Sequence, residues 1–209
     1  MKGNSISKKD QILDAAEELF AIKGYIDVTL KEIVTKAGAD IPLLNYHFKN
    51  KVALLEGVLS RRAHEINTDR LKLLDQARKS SGNKSPEITP VMEALFYPMV
   101  GRCINGSPEW SYYAMVIGQL AFSRQFANII HDLYDPVAQH FISAMRLALP
   151  DASLDRILWG YQFSVSSMVS AIANTGRIDL MSESEYSSAD LQSAYDHLIV
   201  FVTRGLSGL

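Results

Sequence analysis

Between Thr29 and Lys51 the chain reads TLKEIVTKAGADIPLLNYHFKNK, a stretch that gathers hydrogen-bonding and charged side chains on short segments. Tyr46 and His47 can each donate one hydrogen bond, Lys51 supplies a point charge, and Asn45 carries a donor beside an acceptor. Patterns for catalysis are missing: the sequence has no G-x-S-x-G, no H-E-x-x-H and no glycine-rich phosphate loop. His47, His64, His131, His140 and His197 show no close ligand spacing, and Cys103 has no nearby partner of the usual metal-ligand types. The expectation is a protein that is not an enzyme and needs neither metal nor cofactor.

Two short helices must position these residues. Thr29 followed by Glu32 is a capping box, so a helix should start at Leu30 and present Leu30, Ile33, Val34 and Ala37 as an apolar stripe. Gly38 can end it in the left-handed conformation. Asp40 can cap a second helix with Pro42 in its first turn, where a missing N–H does no harm. That helix offers only Leu44 and Phe48 to a core and leaves Ile41, Leu43, Asn45, Tyr46 and His47 on its remaining face. Asn50 caps the next helix, and Lys51 opens it. Two helices joined by a glycine-bearing turn, the second with an unburied face, make a helix-turn-helix pattern; the plainer alternative is two ordinary members of a helical bundle.

The stretch AGADIPLLNYHFKNKVALL resembles the TetR family of transcriptional repressors, as does ILDAAEELFAIKGY (Ile12 to Tyr25) upstream. Together they lie in family order over roughly the first 60 residues, about the length of a three-helix DNA-binding domain. The resemblance implies that the third helix enters the major groove of a double-stranded DNA operator. Thr29, Tyr46, His47 and Lys51, with the backbone N–H groups at Leu30, would hold phosphates; a helix N-terminus favours anions. Base reading would fall to Ile41, Pro42, Leu43 and Asn45, with Asn45 pairing to adenine and Ile41 and Leu43 touching thymine methyls. Leu43 could instead be core, and Asn45 could meet only phosphate or water. The family often carries threonine or glycine near Leu43 and an aromatic at Asn45, so this chain departs from the pattern and its operator sequence stays open.

Net charge adds little. The 209 residues sum to −2, and Thr29 to Val52 sets Lys31, Lys36, Lys49 and Lys51 against Glu32 and Asp40. The motif carries the argument for DNA, not a basic patch. Apolar content of 47 % with 21 % charge is ordinary for a globular chain. No apolar run approaches the roughly 18 residues of a membrane span, the N-terminal residues lack a signal-peptide core, and the single cysteine suits a reducing cytoplasm.

The remaining sequence reads as helices and turns, an all-α chain. Ser7 and Asp10 start the first helix, which buries Ile12, Ala15, Ala16, Leu19 and Phe20 and ends at Gly24. A long fourth helix from Asn50 to about Arg78 carries Leu54, Leu55, Val58, Leu59, Ile66, Leu71 and Leu74 inward, and Ser80 to Pro90 is a loop. Further helices are expected from Pro90 to Ile104, kinked at Pro98, and from Pro108 onward. A short one should cover Arg124 to Tyr134, with another beginning at Asp135-Pro136. Ser153 to Ala173 and Ala189 to Leu206 are the last two. Residues 1–52 would form the three-helix DNA-binding domain and 53–209 a larger ligand-binding and dimerisation domain.

Family likeness also shapes the expectations for that second part. One helix in one groove is a small interface, and family members bind as symmetric dimers with recognition helices about 34–36 Å apart. The last two long helices resemble the pair that builds the family's dimer interface, which would put Val165, Met168, Val169, Ile172, Leu191, Leu198, Ile199 and Val202 in a homodimer contact; plain internal core is the alternative. A pocket for a small apolar effector would involve Trp110, Tyr113, Phe122 and Phe163, and FISAMRLALP followed by ILWGYQFSVSSMVSA resembles members that answer to fatty-acyl compounds. Arg102, Arg124 and Arg146 are available for an anionic head group. Effector binding would swing the fourth helix through Leu59, Ile66 and Leu71 and release the operator, making the protein a ligand-responsive repressor. A helical adaptor of the same fold without DNA binding is the competing reading, against which Asn45, Tyr46, His47 and Lys51 argue.

Overall fold

Each of the first four helices starts where a side chain closes its opening turn. In the computed structural model, which describes residues 7–82 and 84–208, Ser7 accepts from the Asp10 amide at 3.1 Å ahead of α1 (Lys8–Lys23). Thr29 and Glu32 form the reciprocal box ahead of α2 (Leu30–Ala37), and Gly38 closes that helix at φ 58°. Asp40 accepts from the Leu43 amide at 2.8 Å to start α3 (Ile41–His47); Asn50 accepts from Ala53 at 2.8 Å to start α4 (Lys51–Ser80). Such caps contribute about 1 kcal/mol each. All four are contacts three residues apart, so none depends on packing between distant helices.

Beyond α4 come α5 (Ile88–Asn105), α6 (Pro108–Leu120), a 3₁₀ turn at Arg124–Phe126, α7 (Ala127–Ala148), α8 (Leu154–Ile172), the short α9 (Arg177–Met181) and α10 (Leu191–Ser207). Among the described residues there is no strand, and the chain is all-α. The loop expected from Ser80 to Pro90 is trimmed at both ends by α4 and α5; Asn83 within it lies outside the described residues.

Thirty residues make α4 about 45 Å long at 1.5 Å per residue. It packs on α1, α5 and α7, while α1 also lies on α6. Gln119 on α6 donates to the Ala21 carbonyl on α1 at 2.9 Å. Glu17, buried on α1, receives Arg61 Nη2 at 2.7 Å and Arg62 Nη2 at 3.0 Å from α4. The Arg62 and Arg102 guanidiniums lie over the Trp110 ring at 4.7 and 5.0 Å. The N-terminal unit is thus tied to the rest of the chain along two helices, α4 and α6.

Several expectations need correction. One helix runs through Asp135-Pro136 where two were expected. Pro136 is exposed, so water can serve the Asp132 carbonyl that loses its donor, and Asp135 pairs with His131 one turn earlier at 2.6 Å instead of capping. Leu71 is 37 % exposed, and the buried position of that turn is Arg70. Leu19 is only partly buried, whereas Leu13, Glu17 and Ala21 join Ile12, Ala15, Ala16 and Phe20 in the interior. The segment α9, just ahead of the polar SESEYSS run, is too short to show a helical period; its own Asp179 carboxylate accepts from Ser187 Oγ and the Ser188 amide, which tie it to the chain that follows.

Candidate nucleic-acid interface

Leu44 is fully buried and Phe48 nearly so, and between them they anchor α3 to the N-terminal core. Everything else on α3 follows from that anchoring. Ile41, Pro42 and Asn45 are exposed, Tyr46 is 82 % exposed, and Leu43 and His47 are half-buried at the margins. The Tyr46 and His47 rings meet edge to face at 5.1 Å. A helix with one buried stripe and an open opposite face can enter a groove without disturbing its own packing.

Polar groups flanking α3 divide into occupied and open ones. The Thr29 amide and hydroxyl both donate to Glu32 Oε2, at 2.8 and 2.7 Å, so the open donors at that end are the Leu30 and Lys31 amides, which have no intrahelical acceptor. Hydrogen bonds from Lys23 and Thr29 hold the Glu32 carboxyl at about 2, from an ordinary 4.5. Glu32 is therefore ionised there, with Lys23 at 2.7 Å as its counter-charge. Lys51 is half-buried, 4.5 Å from the Tyr25 ring centroid and donating to the Ile26 carbonyl at 3.1 Å; burial lowers its pKa. It braces the start of α4 more than it reaches outward. Lys36 pairs with Glu18 at 2.8 Å, and Lys8 donates to the Gly38 carbonyl at 3.0 Å. Lys31 and Lys49 are exposed and have no ion pair among the described residues.

The C-terminal expectations fare differently. Trp110 and Tyr113 are buried and meet edge to face at 6.2 Å. Phe122 and Phe163 are 64 % and 62 % exposed, so they do not share an interior with that pair. Phe122 follows the end of α6, and Phe163 stacks on Trp159 on the outer side of α8. Arg102 is taken by Asp69 at 2.6 Å, while Arg124 and Arg146 lie at the surface.

Most of the residues expected in a dimer contact point into the chain rather than out of it. Met168, Val169, Ile172, Leu198 and Val202 are buried within the chain, and Val165, Leu191 and Ile199 are partly so. The open apolar face of α8 and α10 is instead Leu158, Trp159 and Phe163 with Val200 and Phe201, the last 71 % exposed. Both helices are apolar on two sides, and periodicity alone cannot say which side packs on α5 and α6. Among the described residues no helix is long and apolar enough to cross a membrane.

Comparison with known proteins bears on the family and the fold. Residues 12–58 match the family of bacterial regulatory proteins called tetR, and residues 93–205 match the tetracyclin repressor-like C-terminal domain. The transcriptional regulator SrpR of Pseudomonas putida is 38 % identical over 61 residues, which cover 29 % of each chain. The transcriptional activator FasR of Mycolicibacterium smegmatis is 29 % identical over 98 residues, 46 % of this chain and 43 % of that one. The chain thus spans less than half the length of these curated relatives. A solved SmeT–triclosan complex shares the fold at TM-score 0.59 and 17 % identity, over 95 % of this chain and 90 % of that one. With family matches at both ends, the second spanning more than half of its length, the chain belongs to the TetR family.

Proposed function

We propose that this chain is a sequence-specific DNA-binding transcriptional regulator, acting as a homodimer and released from its operator by a small molecule. The observation that carries the reading is α3 itself: Leu44 and Phe48 hold it down while Ile41, Pro42, Asn45 and Tyr46 stand clear. Leu43 and His47 complete its edges, and Thr29, Leu30 and Lys51 flank it. Lys31 and Lys49, free of ion pairs among the described residues, join them as phosphate partners. Phosphate contacts fix register, and the α3 face reads bases. Residues 1–52 act as the DNA-binding unit and α4 carries it. The test is to select operator fragments from random DNA with purified protein and compare wild type with Asn45→Ala. A wild-type protein that retains no sequence in preference to any other would end the proposal.

Dimerisation is assigned to the exposed face of α8 and α10. Leu158, Trp159, Phe163, Val200 and Phe201 form an apolar surface of the kind that marks an interaction site. Sedimentation as a monomer at micromolar concentration would overturn this assignment. For the effector, one structural neighbour is a complex with triclosan. A molecule entering near Trp110 and Tyr113 would act on α6, and through Gln119 and the Arg62–Trp110 contact on α1 and α4. It must bind the state that is incompetent for DNA better than the competent one, because equal affinity shifts nothing. In this proposal the operator-bound state represses, and that release lifts the repression.

A further inference from the structure

Arg70 sits on α4 four residues after Ile66 and four before Leu74, on the stripe those two bury, and is itself only 6 % exposed. A buried charge is costly unless it is paired. Glu17, the buried acid of this chain, meets two arginines. Arg70 has no carboxylate within ion-pair distance among the described residues. Its Nε donates to the Leu95 carbonyl at 2.8 Å, next to the Ala94 carbonyl that Pro98 deprives of a helix donor. The outer ends of the fork are poorly served: Nη1 reaches Asn67 Oδ1 at 3.3 Å, and Nη2 faces only Met168 Sδ at 3.9 Å. A thioether is a weak acceptor.

Phenols stand around this fork. The Tyr134 ring centroid is 5.8 Å from the guanidinium carbon, and the Tyr134 and Tyr113 hydroxyls hydrogen-bond to each other. Burial pushes the pKa of Tyr113, Tyr134 and Tyr161 upward, so all three are neutral donors rather than anions balancing Arg70. The result is a positive charge, unmatched donors and hydroxyls set among Ile66, Leu95 and Met168.

We infer that Arg70 is the receptor for the carboxylate of a small monoanionic ligand with an apolar body, bound among α4, α6, α7 and α8. One unbalanced positive charge calls for a single negative one. A planar fork matches a planar carboxylate with two parallel N–H donors. Met168, unbranched and easily moved, is the side chain the carboxylate displaces. The inference rests on the proposed small-molecule response and names the chemical class of the effector. It replaces Arg102, Arg124 and Arg146 as the anion partner.

The test titrates purified full-length protein, without DNA, with monocarboxylates from butyrate to decanoate and with benzoate, each against its primary amide, by calorimetry. At least one carboxylate should bind tenfold or more tightly than its amide, a difference of about 1.4 kcal/mol. Arg70→Lys, which keeps the charge but loses the fork, should cost that carboxylate about tenfold. Met168→Glu, which supplies an internal carboxylate, should raise Tm and abolish carboxylate binding. No carboxylate binding at millimolar concentration, or binding that Arg70→Lys and Met168→Glu leave unchanged, would overturn the inference and leave Arg70 as a support for the Leu95 carbonyl. The same carboxylate is then added to the protein bound to its selected operator, and Arg70-dependent binding that leaves operator affinity untouched would support the site while overturning its role as the effector switch.

Discussion

Glu17 and Arg70 are both buried, and α4 takes part in both environments, yet the chain treats the two charges in opposite ways. Glu17, where α1 crosses the first half of α4, is closed by Arg61 and Arg62, and Asp14 shares Arg61 at 2.7 Å. Arg70, further along the helix, has one backbone carbonyl, a long contact to Asn67 and a sulfur. Near the N-terminal unit charge serves as a fastening. In the C-terminal body a charge is left unbalanced, which is what a binding site for an ion requires and what a core built only for stability avoids.

The largest expected effect tests the fastening. Glu17→Ala leaves Arg62 without its acid and Arg61 with Asp14 alone, which should destabilise the fold by about 3 kcal/mol. The figure belongs at the lower end of the range because the Arg61 and Arg62 side chains are 23 % and 14 % exposed. Arg70→Met, by contrast, should leave stability within about 1 kcal/mol of wild type or raise it, since removing an unpaired buried charge offsets the loss at Leu95. Urea unfolding of both variants decides the matter; equal losses would erase the distinction between them.

Next in size is the outer face of α8 and α10. Phe163→Asp and Phe201→Asp should give folded monomers, because a carboxylate in an apolar contact costs about 2 kcal/mol or more unless it reaches water. Val169→Asp should unfold the chain instead, as Val169 is 3 % exposed inside it. Sedimentation and circular dichroism separate these outcomes; folded monomers from Val169→Asp would restore the inner face as the interface.

On the DNA side, Asn45→Ala should relax preference at one base position by about 1–3 kcal/mol if its contact is bidentate. Lys49→Ala should weaken binding to all sequences and reduce the salt slope by about one, and more so than Lys51→Ala, whose amine is already engaged by Tyr25 and Ile26. A salt series on both variants checks the order.

The smallest effect concerns the Thr29–Glu32 box. Thr29→Ala should cost about 1 kcal/mol. Because Glu32 has a folded pKa of about 2, below its ordinary 4.5, its contribution is present above that ordinary value and is lost as pH falls from 4.5 toward 2. Removing the Thr29 hydroxyl, while Lys23 and the residue-29 amide still donate, should raise the Glu32 pKa in part and narrow this acid window, which carboxyl titration by NMR would follow.

Local residue spacing was enough to set the first four helix starts, the left-handed Gly38, the anchoring of α3 by Leu44 and Phe48, and hence its outward face. These features rest on contacts three or four residues apart, which a linear reading can see. Packing between distant helices was needed to settle which apolar side of α8 and α10 is buried, why α7 continues through Pro136, and why Phe122 and Phe163 stand outside. The state of Arg70 is of the same kind. Read in order, the chain offers Leu71 as the inward residue of that turn, and only the packing puts Arg70, midway between Ile66 and Leu74, on the buried stripe of α4. Whether an acid waits opposite it depends on α5, α6, α7 and α8, whose partners are set by packing across long separations rather than by local spacing.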